Sequence, residues 1–404
     1  MGNFPPPYGG VPAHLADLAP FLAERGWRVT VLSPVGGRED SGAEFQLVRD
    51  NRGKGRKTAA AAALLAESAL RGEARRALQW RSTMPVRTWV RALATARLAL
   101  ERVDVGSIHL VAGYNLLFGA PAAAVLSDLI GVPLVVTNFG EIHSHHDLAR
   151  EHVRFFSRLV ERARLTAISH HCARSFEDLG ISATVDVLPY GVDLEHFGQG
   201  DGEGFRSRHG IPPTAPVAAF VGRLVRDMGL DAMLAALPAI RVAVPDAVVL
   251  IAGADGKLRS AVEAAVREAP LNVRLFVNVP EVDLPGLIAA AQVVVVPSAG
   301  TRACGSLAAI EAMAAGRAVV ATRIGGVPEI VTEECGVLLD TEGSSELAQA
   351  VISLLRSPAR CSVMGTRGRQ RAAQRFDRLR TNGAIEAFFR ASLPGEAARD
   401  RTGS

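Results

Sequence analysis

Cysteine is scarce and scattered: the 404 residues hold four, Cys172, Cys304, Cys335 and Cys361, none in C-x-x-C spacing. That pattern excludes a disulfide framework and gives no support to a structural metal, and it points to a reducing compartment. Aromatic residues make up only 5% of the chain, and no stacking platform is interleaved with the basic ones. Nucleic acid is therefore not an expected partner. No apolar run reaches the roughly 18 residues that a membrane span needs. The opening MGNFPPPYGG has neither a basic n-region nor an apolar h-region, so no signal peptide is expected and the chain reads as cytoplasmic.

Enough is present to build two cores. A chain of 404 residues, 48% hydrophobic and 21% charged, is too long for one ordinary domain and too apolar to be disordered. The net charge of +4 is unevenly spread. Between Arg49 and Arg102 stand thirteen Lys/Arg against four Asp/Glu. Two readings of residues 49–102 stay open: a solvated basic helix face, or a peripheral contact with an anionic membrane or acidic acceptor.

The chain is organised around PSAGTRACGSLAAIEAMAAGRAVVATRIGGVPE, residues 297–329. Four valines, Val293–Val296, precede it and suit a buried parallel strand. A small, polar loop follows, then an Ala-rich helix over Leu307–Ala315, a Gly316 cap, and a strand at Ala318–Ala321. A loop feeding a helix N-terminus at the end of a strand offers free N–H groups and a positive dipole end to an anion. Glu311 lies inside that helix, where a carboxylate is better suited to sugar hydroxyls than to a phosphate.

Those residues, PS…EAMAAG…VVAT…GGVPEIV, resemble the C-terminal donor signature of family-4 retaining glycosyltransferases, and the likeness covers nearly the whole chain. It implies an α/β fold of two doubly wound Rossmann-like domains facing a cleft, the GT-B architecture. The expected organisation is an acceptor-side domain over 1–195, a linker over 196–212, a nucleotide-sugar donor domain over 213–375, and a C-terminal helix over 376–404 that crosses back. The implied activity is transfer of a sugar from a nucleotide-diphosphate sugar to an unidentified acceptor, an envelope glycan, glycolipid or secondary metabolite. No cofactor beyond that co-substrate and no metal are expected. The high Ala and Arg usage suggests a bacterial source, and the basic segment adds a peripheral place at the inner membrane face. Two alternatives are a non-catalytic nucleotide-sugar-binding homologue and a sugar-nucleotide epimerase of the same fold.

The resemblance also assigns residues. Gly222-Arg223-Leu224 matches the family's G-R-L, so Arg223 is expected on the donor diphosphate, where a guanidinium fork suits two phosphates. Arg223 and Glu311 are the candidate catalytic pair. Gly9, Gly10, Gly222, Thr301, Gly305, Ser306 and Leu307 complete the donor set. The family's lysine after G-R-L is absent, with Met228 in its place, and Arg226 and Arg302 are candidate substitutes. The family's first acid is absent too, whether the register falls on Ala303 or on Thr301. Acceptor candidates are Phe139, Glu141 and His143, at the end of the strand Leu134–Thr137. His143, His145 and His146 lack a spaced acid partner, so they are not read as metal ligands. A first strand is expected just before Gly9-Gly10, where only Met1-Gly2-Asn3 stand. The natural start is expected upstream, because a missing middle strand would leave two open edges.

Overall fold

A computed structural model of the chain describes residues 10–33, 45–269, 272–300 and 304–395. Two compact units emerge: Met1–Pro189 with Asn382–Ser404, and Tyr190–Thr381. All strand pairs among the described residues are parallel, as alternating strands and helices require.

The first unit opens with α1 (Gly10–Glu24), β1 (Thr30–Ser33) and β2 (Gln46–Arg49), followed by α2 (Lys54–Leu70), α3 (Ala74–Leu78) and α4 (Val86–Arg102). Then come β3 (Val111–Tyr114), α5 (Ala120–Ile130), β4 (Leu134–Asn138), α6 (Glu141–Ser144), β5 (Arg164–Ala167) and β6 (Val185–Val187). The strand expected over Ser107–Ala112 starts later, at Val111. Residues 105–107 form instead a tight turn whose Gly106 N–H is accepted by Asp104 Oδ1 at 3.1 Å. The β4 ladder fixes the register, pairing Val111 with Leu134 and Tyr114 with Thr137. α5 is built of small residues, which lets it lie buried against β3, and it closes on Gly131 at φ +76°, a left-handed cap. Trp80, Leu93, Phe155 and Phe156 fill the main core.

These strands do not form one sheet. β1 pairs with β2, and β3–β4–β5–β6 form a separate quartet. Between them lies a cavity of about 840 Å³, lined by Val31 and Leu32 of β1, Val111 and Ala112 of β3, Leu18 of α1, and Phe389.

The second unit holds β7 (Val217–Val221), β8 (Val248–Gly253), β9 (Val273–Val277), β10 (Val293–Val296), β11 (Ala318–Thr322) and β12 (Gly336–Leu339). They form one sheet in the order β12-β11-β10-β7-β8-β9. The valines of β10 are 0–6% exposed, as strands covered on both faces should be. The stretch expected as a linker, 196–212, lies within this unit. It contributes to two helices, Leu194–Gly198 and Gly202–Arg208, which pack on the helices Leu307–Ala314 and Leu284–Ala290. Asp193 and Asp201 cap them, accepting from His196 N at 2.9 Å and Gly204 N at 2.8 Å.

The helix expected from residue 376 runs over Arg378–Arg390, and a longer helix, Pro358–Arg375, precedes it. The chain breaks at Phe376-Asp377 because Val192 bridges there, donating to Phe376 O at 2.8 Å and accepting from Arg378 N at 3.0 Å. Beyond Asn382 the chain counts with the first unit, where Ile385, Phe388 and Phe389 join Leu15, Leu18 and Phe21 of α1 in one apolar cluster.

Candidate functional site

In the second unit the strand order reverses between β7 and β10. Open parallel sheets bind ligands just beyond the strand ends at such a switch point. The β7–β10 register pairs Val295 with Phe220, which brings Gly222 and Pro297 out at the same edge. Two backbone devices join the loops there. Gly229 sits at φ +71°, and a Cβ on it would lie 1.5 Å from Pro297 O, so only glycine allows this approach. Ala299 N donates to Asp227 O at 3.1 Å. The loop continues to Gly300, whose N–H is accepted by Glu342 Oε1 at 2.6 Å.

Gly305, Ser306 and Leu307 lead into the helix Leu307–Ala314 that the sequence placed here. Ser306 is its N-cap, its Oγ accepting from Ala309 N at 3.2 Å. Glu311 follows one turn later. It is half-buried by exposure, yet enclosed enough that desolvation, with the nearby Glu281 charge adding, pushes its pKa up to about 7. Its carboxylate makes no hydrogen bond among the described residues. Arg223, just past β7, is exposed, and its guanidinium likewise makes no hydrogen bond or ion pair among them. A half-buried carboxylate without a hydrogen-bond partner among the described residues, close behind a helix start, is a candidate for contact with a ligand.

Met228, where the resembled family has lysine, packs on the core, and its Sδ lies 3.6 Å from where a Cβ on Gly222 would stand. Arg226 forms a solvent-exposed ion pair with Asp231 at 2.9 Å. Thr301 and Arg302 lie outside the described residues, as does Gly9. Gly10 is the first residue of α1.

The acceptor candidates all follow β4 in the first unit, and two of them are engaged by the fold. Glu141 is 5% exposed, and its Oε2 accepts from Leu116 N at 3.3 Å and Phe139 N at 3.1 Å. Burial still raises its pKa to about 7. It ties the β3 and β4 loops together instead of presenting its charge. His143 meets Asp178 Oδ2 through Nε2 at 3.0 Å and stacks on His171 at 4.1 Å. Its pKa is raised, by a hydrogen bond with Cys172 first and by Asp178 as well. Phe139 is half-buried, its ring 5.7 Å from Tyr114 and 6.0 Å from His14.

His14, Asp178 and Cys172 were not singled out from the sequence. His14 is buried on α1, and desolvation lowers its pKa to about 4, so the ring is neutral at ordinary pH. The one available signal was its spacing: four residues after Gly10, it shares that residue's helix face.

Comparison with known proteins adds an independent line. A family model described as "Glycosyltransferase Family 4" matches residues 8–196, and one described as "Glycosyl transferases group 1" matches residues 201–371. The chain is 32% identical over 300 residues to a D-inositol 3-phosphate glycosyltransferase of Segniliparus rotundus, covering 68% of this chain and 64% of that one. It is 30% identical over 312 residues to a 2-deoxystreptamine glucosyltransferase of Streptomyces kanamyceticus, covering 71% and 78%. A GDP-mannose-dependent mannosyltransferase of Corynebacterium glutamicum aligns over 56% of its own length at 33% identity. The match thus spans less than two thirds of the first and third of these relatives. Among solved structures, Anabaena HepE in complex with UDP superposes with a TM-score of 0.71 at 19% identity, covering 96% of this chain and 98% of that one. The lipopolysaccharide glycosyltransferase WaaG gives 0.68 at 18%.

Proposed function

The chain belongs to glycosyltransferase family 4 and has the GT-B fold, and from that premise we propose that it transfers a sugar from a nucleoside-diphosphate donor with retention of anomeric configuration. The donor is held by the second unit. Arg223 meets the diphosphate, the loop Gly305–Leu307 offers backbone N–H groups, and Glu311 accepts from donor hydroxyls. The observation that carries the reading is Glu311, a desolvated carboxylate without a hydrogen bond at the switch point of the sheet. The likeness to HepE, which binds UDP, supports a nucleotide as the ligand class.

Departure of the diphosphate is the step these residues favour. Charge develops on the leaving phosphate as the glycosidic bond breaks, and the Arg223 guanidinium and helix N–H groups stabilise it where it forms. The acceptor hydroxyl attacks from the same face, and its proton passes to the leaving phosphate. No carboxylate nucleophile is needed, unlike in a retaining glycosidase, and neither a metal nor a cofactor enters the scheme.

A second reading has an observation of its own. With Met228 packed on the core, the family's lysine has no counterpart at its own position, and the nearest cation, Arg226, is paired with Asp231. A homologue that binds a nucleotide sugar without transferring it would look like this. Incubation with UDP-, GDP-, ADP- and dTDP-sugars and a panel of hydroxyl acceptors separates the two. The transfer reading expects an acceptor-dependent glycoside, whose proton NMR coupling shows the donor's anomeric configuration kept. Inverted product would overturn retention, and donor binding without product on any acceptor would favour the second reading.

A further inference from the structure

The helix Pro358–Arg375 carries five arginines and no acid. Two of them belong to the fold: Arg371 donates to Ile330 O at 2.7 Å and Glu329 O at 2.8 Å, and Arg375 to Glu329 O at 3.4 Å. The side chains of Arg367 and Arg369 make no hydrogen bond or ion pair among the described residues. They stand two positions apart, so they leave the helix in different directions. Arg369 lines a cavity of about 620 Å³, and Arg367 does not. A Cβ on Gly198 would lie 2.7 Å from Arg369 Nη2, so that guanidinium rests against the end of the helix Leu194–Gly198.

Gln292 and Arg317 line the same cavity, each standing just before a strand whose first residues, Val293 and Ala318, are paired. The cavity therefore lies at the edge where the parallel strands begin, opposite the switch point. Arg317 is half-buried, and that burial, with the like charge of Arg206 adding, holds its pKa below the ordinary value. Its Nε and Nη1 donate to Ala315 O at 3.1 Å and Ala291 O at 3.4 Å, while Nη2 makes no hydrogen bond among the described residues. Arg206 shows the contrasting, wholly structural case: its Nε and Nη2 both donate to Ala290 O, and Nη1 to Pro213 O at 2.8 Å. No carboxylate pairs with Arg317 or Arg369 among the described residues. A desolvated cation without a counter-charge is costly, and an anion in the cavity removes that cost.

We propose that this cavity binds a phosphate monoester, with its phosphate between Arg317 and Arg369 and its organic part along Gln292 and Gln370. Two guanidinium forks suit a dianion with three free oxygens, whereas a carboxylate would balance only one of them. The volume is that of a small-molecule pocket and leaves room beyond the phosphate itself. The site goes beyond the transfer reading and does not rest on it, because it shares no residue with the donor set.

Glucose 6-phosphate, inorganic phosphate and glucose are titrated into the full chain, and binding is read by calorimetry. Both phosphates should bind in the millimolar range or tighter, and glucose should not. Arg317→Gln and Arg369→Gln should each weaken glucose 6-phosphate by about tenfold, the loss of a charge-assisted contact. Arg367→Gln, on another face of the helix, should leave it within about twofold, as should Arg223→Ala. Circular dichroism checks folding, and Arg369→Gln, which breaks no bond of the fold, decides the matter if Arg317→Gln does not fold. Absence of binding by both phosphates would overturn the proposal, as would unchanged binding in folded Arg369→Gln or an equal loss in Arg367→Gln. A loss in Arg223→Ala alone would overturn it too, by moving the phosphate to the donor site.

Discussion

Among the described residues, six parallel strands of the second unit run unbroken from β12 to β9, whereas those of the first unit fall into a pair and a quartet with a cavity of about 840 Å³ between them. The contrast repeats at two glutamates. Glu141 and Glu311 are both pushed to about 7 by burial, yet Glu141 accepts two backbone N–H groups and Glu311 accepts none among the described residues. A carboxylate bonded by the fold is part of the fold; one left without bonds in a desolvated place is available to a ligand. The difference teaches that a pKa displaced by burial does not by itself mark a site. The free lone pairs do.

The comparison can be strained first at its glycines. Gly229 and Gly131 both adopt positive φ, but a Cβ on Gly229 would strike Pro297 O while one on Gly131 would meet nothing within 4 Å. Gly229→Ala should therefore cost about 4 kcal/mol and Gly131→Ala only about 1–2 kcal/mol, the strain of the left-handed backbone alone. Denaturant titration followed by circular dichroism reads both. Trp27, Trp80 and Trp89 all lie in the first unit, so tryptophan fluorescence reports that unit separately. Equal costs would break the claim that the β7 and β10 loops are locked together at Gly229.

The glutamates come next. At pH 5 both carboxyls are protonated, and truncation tests bonding without the burial of charge. Glu141→Ala should cost about 2–3 kcal/mol by leaving two amides unsatisfied, and Glu311→Ala less than about 1 kcal/mol. A smaller effect follows from charge. Glu311 has a folded pKa near 7 against an ordinary value of 4.5, so the folded state binds more protons between these limits. Stability from this group accordingly falls as pH rises from 4.5 through 7, and the cost is full above 7. Glu311→Gln should stabilise the chain by on the order of 1–2 kcal/mol at pH 8 and by nothing at pH 4, measured by melting across pH. Stabilisation that persisted at pH 4 would place the cause elsewhere than in the carboxylate's charge.

Much of the second unit was legible because its strands are short apolar runs with no competing pattern. Val217–Val221 and Val293–Val296 needed only their unbroken apolar composition and flanking turns. The first unit was harder. β2 is four residues, QLVR, ending in an arginine that the fold buries, which no apolar-run criterion detects. β3 was displaced because SIHLVA reads as a strand locally while the β4 ladder selects VAGY. The helices at 194–208 were hidden by glycine and charge, though Asp193 and Asp201 carried the cap signal. In the candidate site the resemblance to the family's G-R-L pointed to Arg223, and the donor signature with its Ala-rich helix pointed to Glu311. The sequence could not tell that Glu141 and His143 would be consumed by partners at Leu116 and Asp178, because those contacts come from remote loops.

The central claim is that the switch point of the second unit holds a nucleoside diphosphate through Arg223, and calorimetric titration tests it most directly. UDP, GDP, ADP and dTDP are titrated into the wild type, Arg223→Ala and Glu311→Gln, each checked for folding by its melting transition. One diphosphate should bind the wild type and bind Arg223→Ala at least about tenfold more weakly, a loss of about 1.4 kcal/mol or more. Binding of none of the four to the folded wild type, or equal binding by wild type and both variants, would contradict the account.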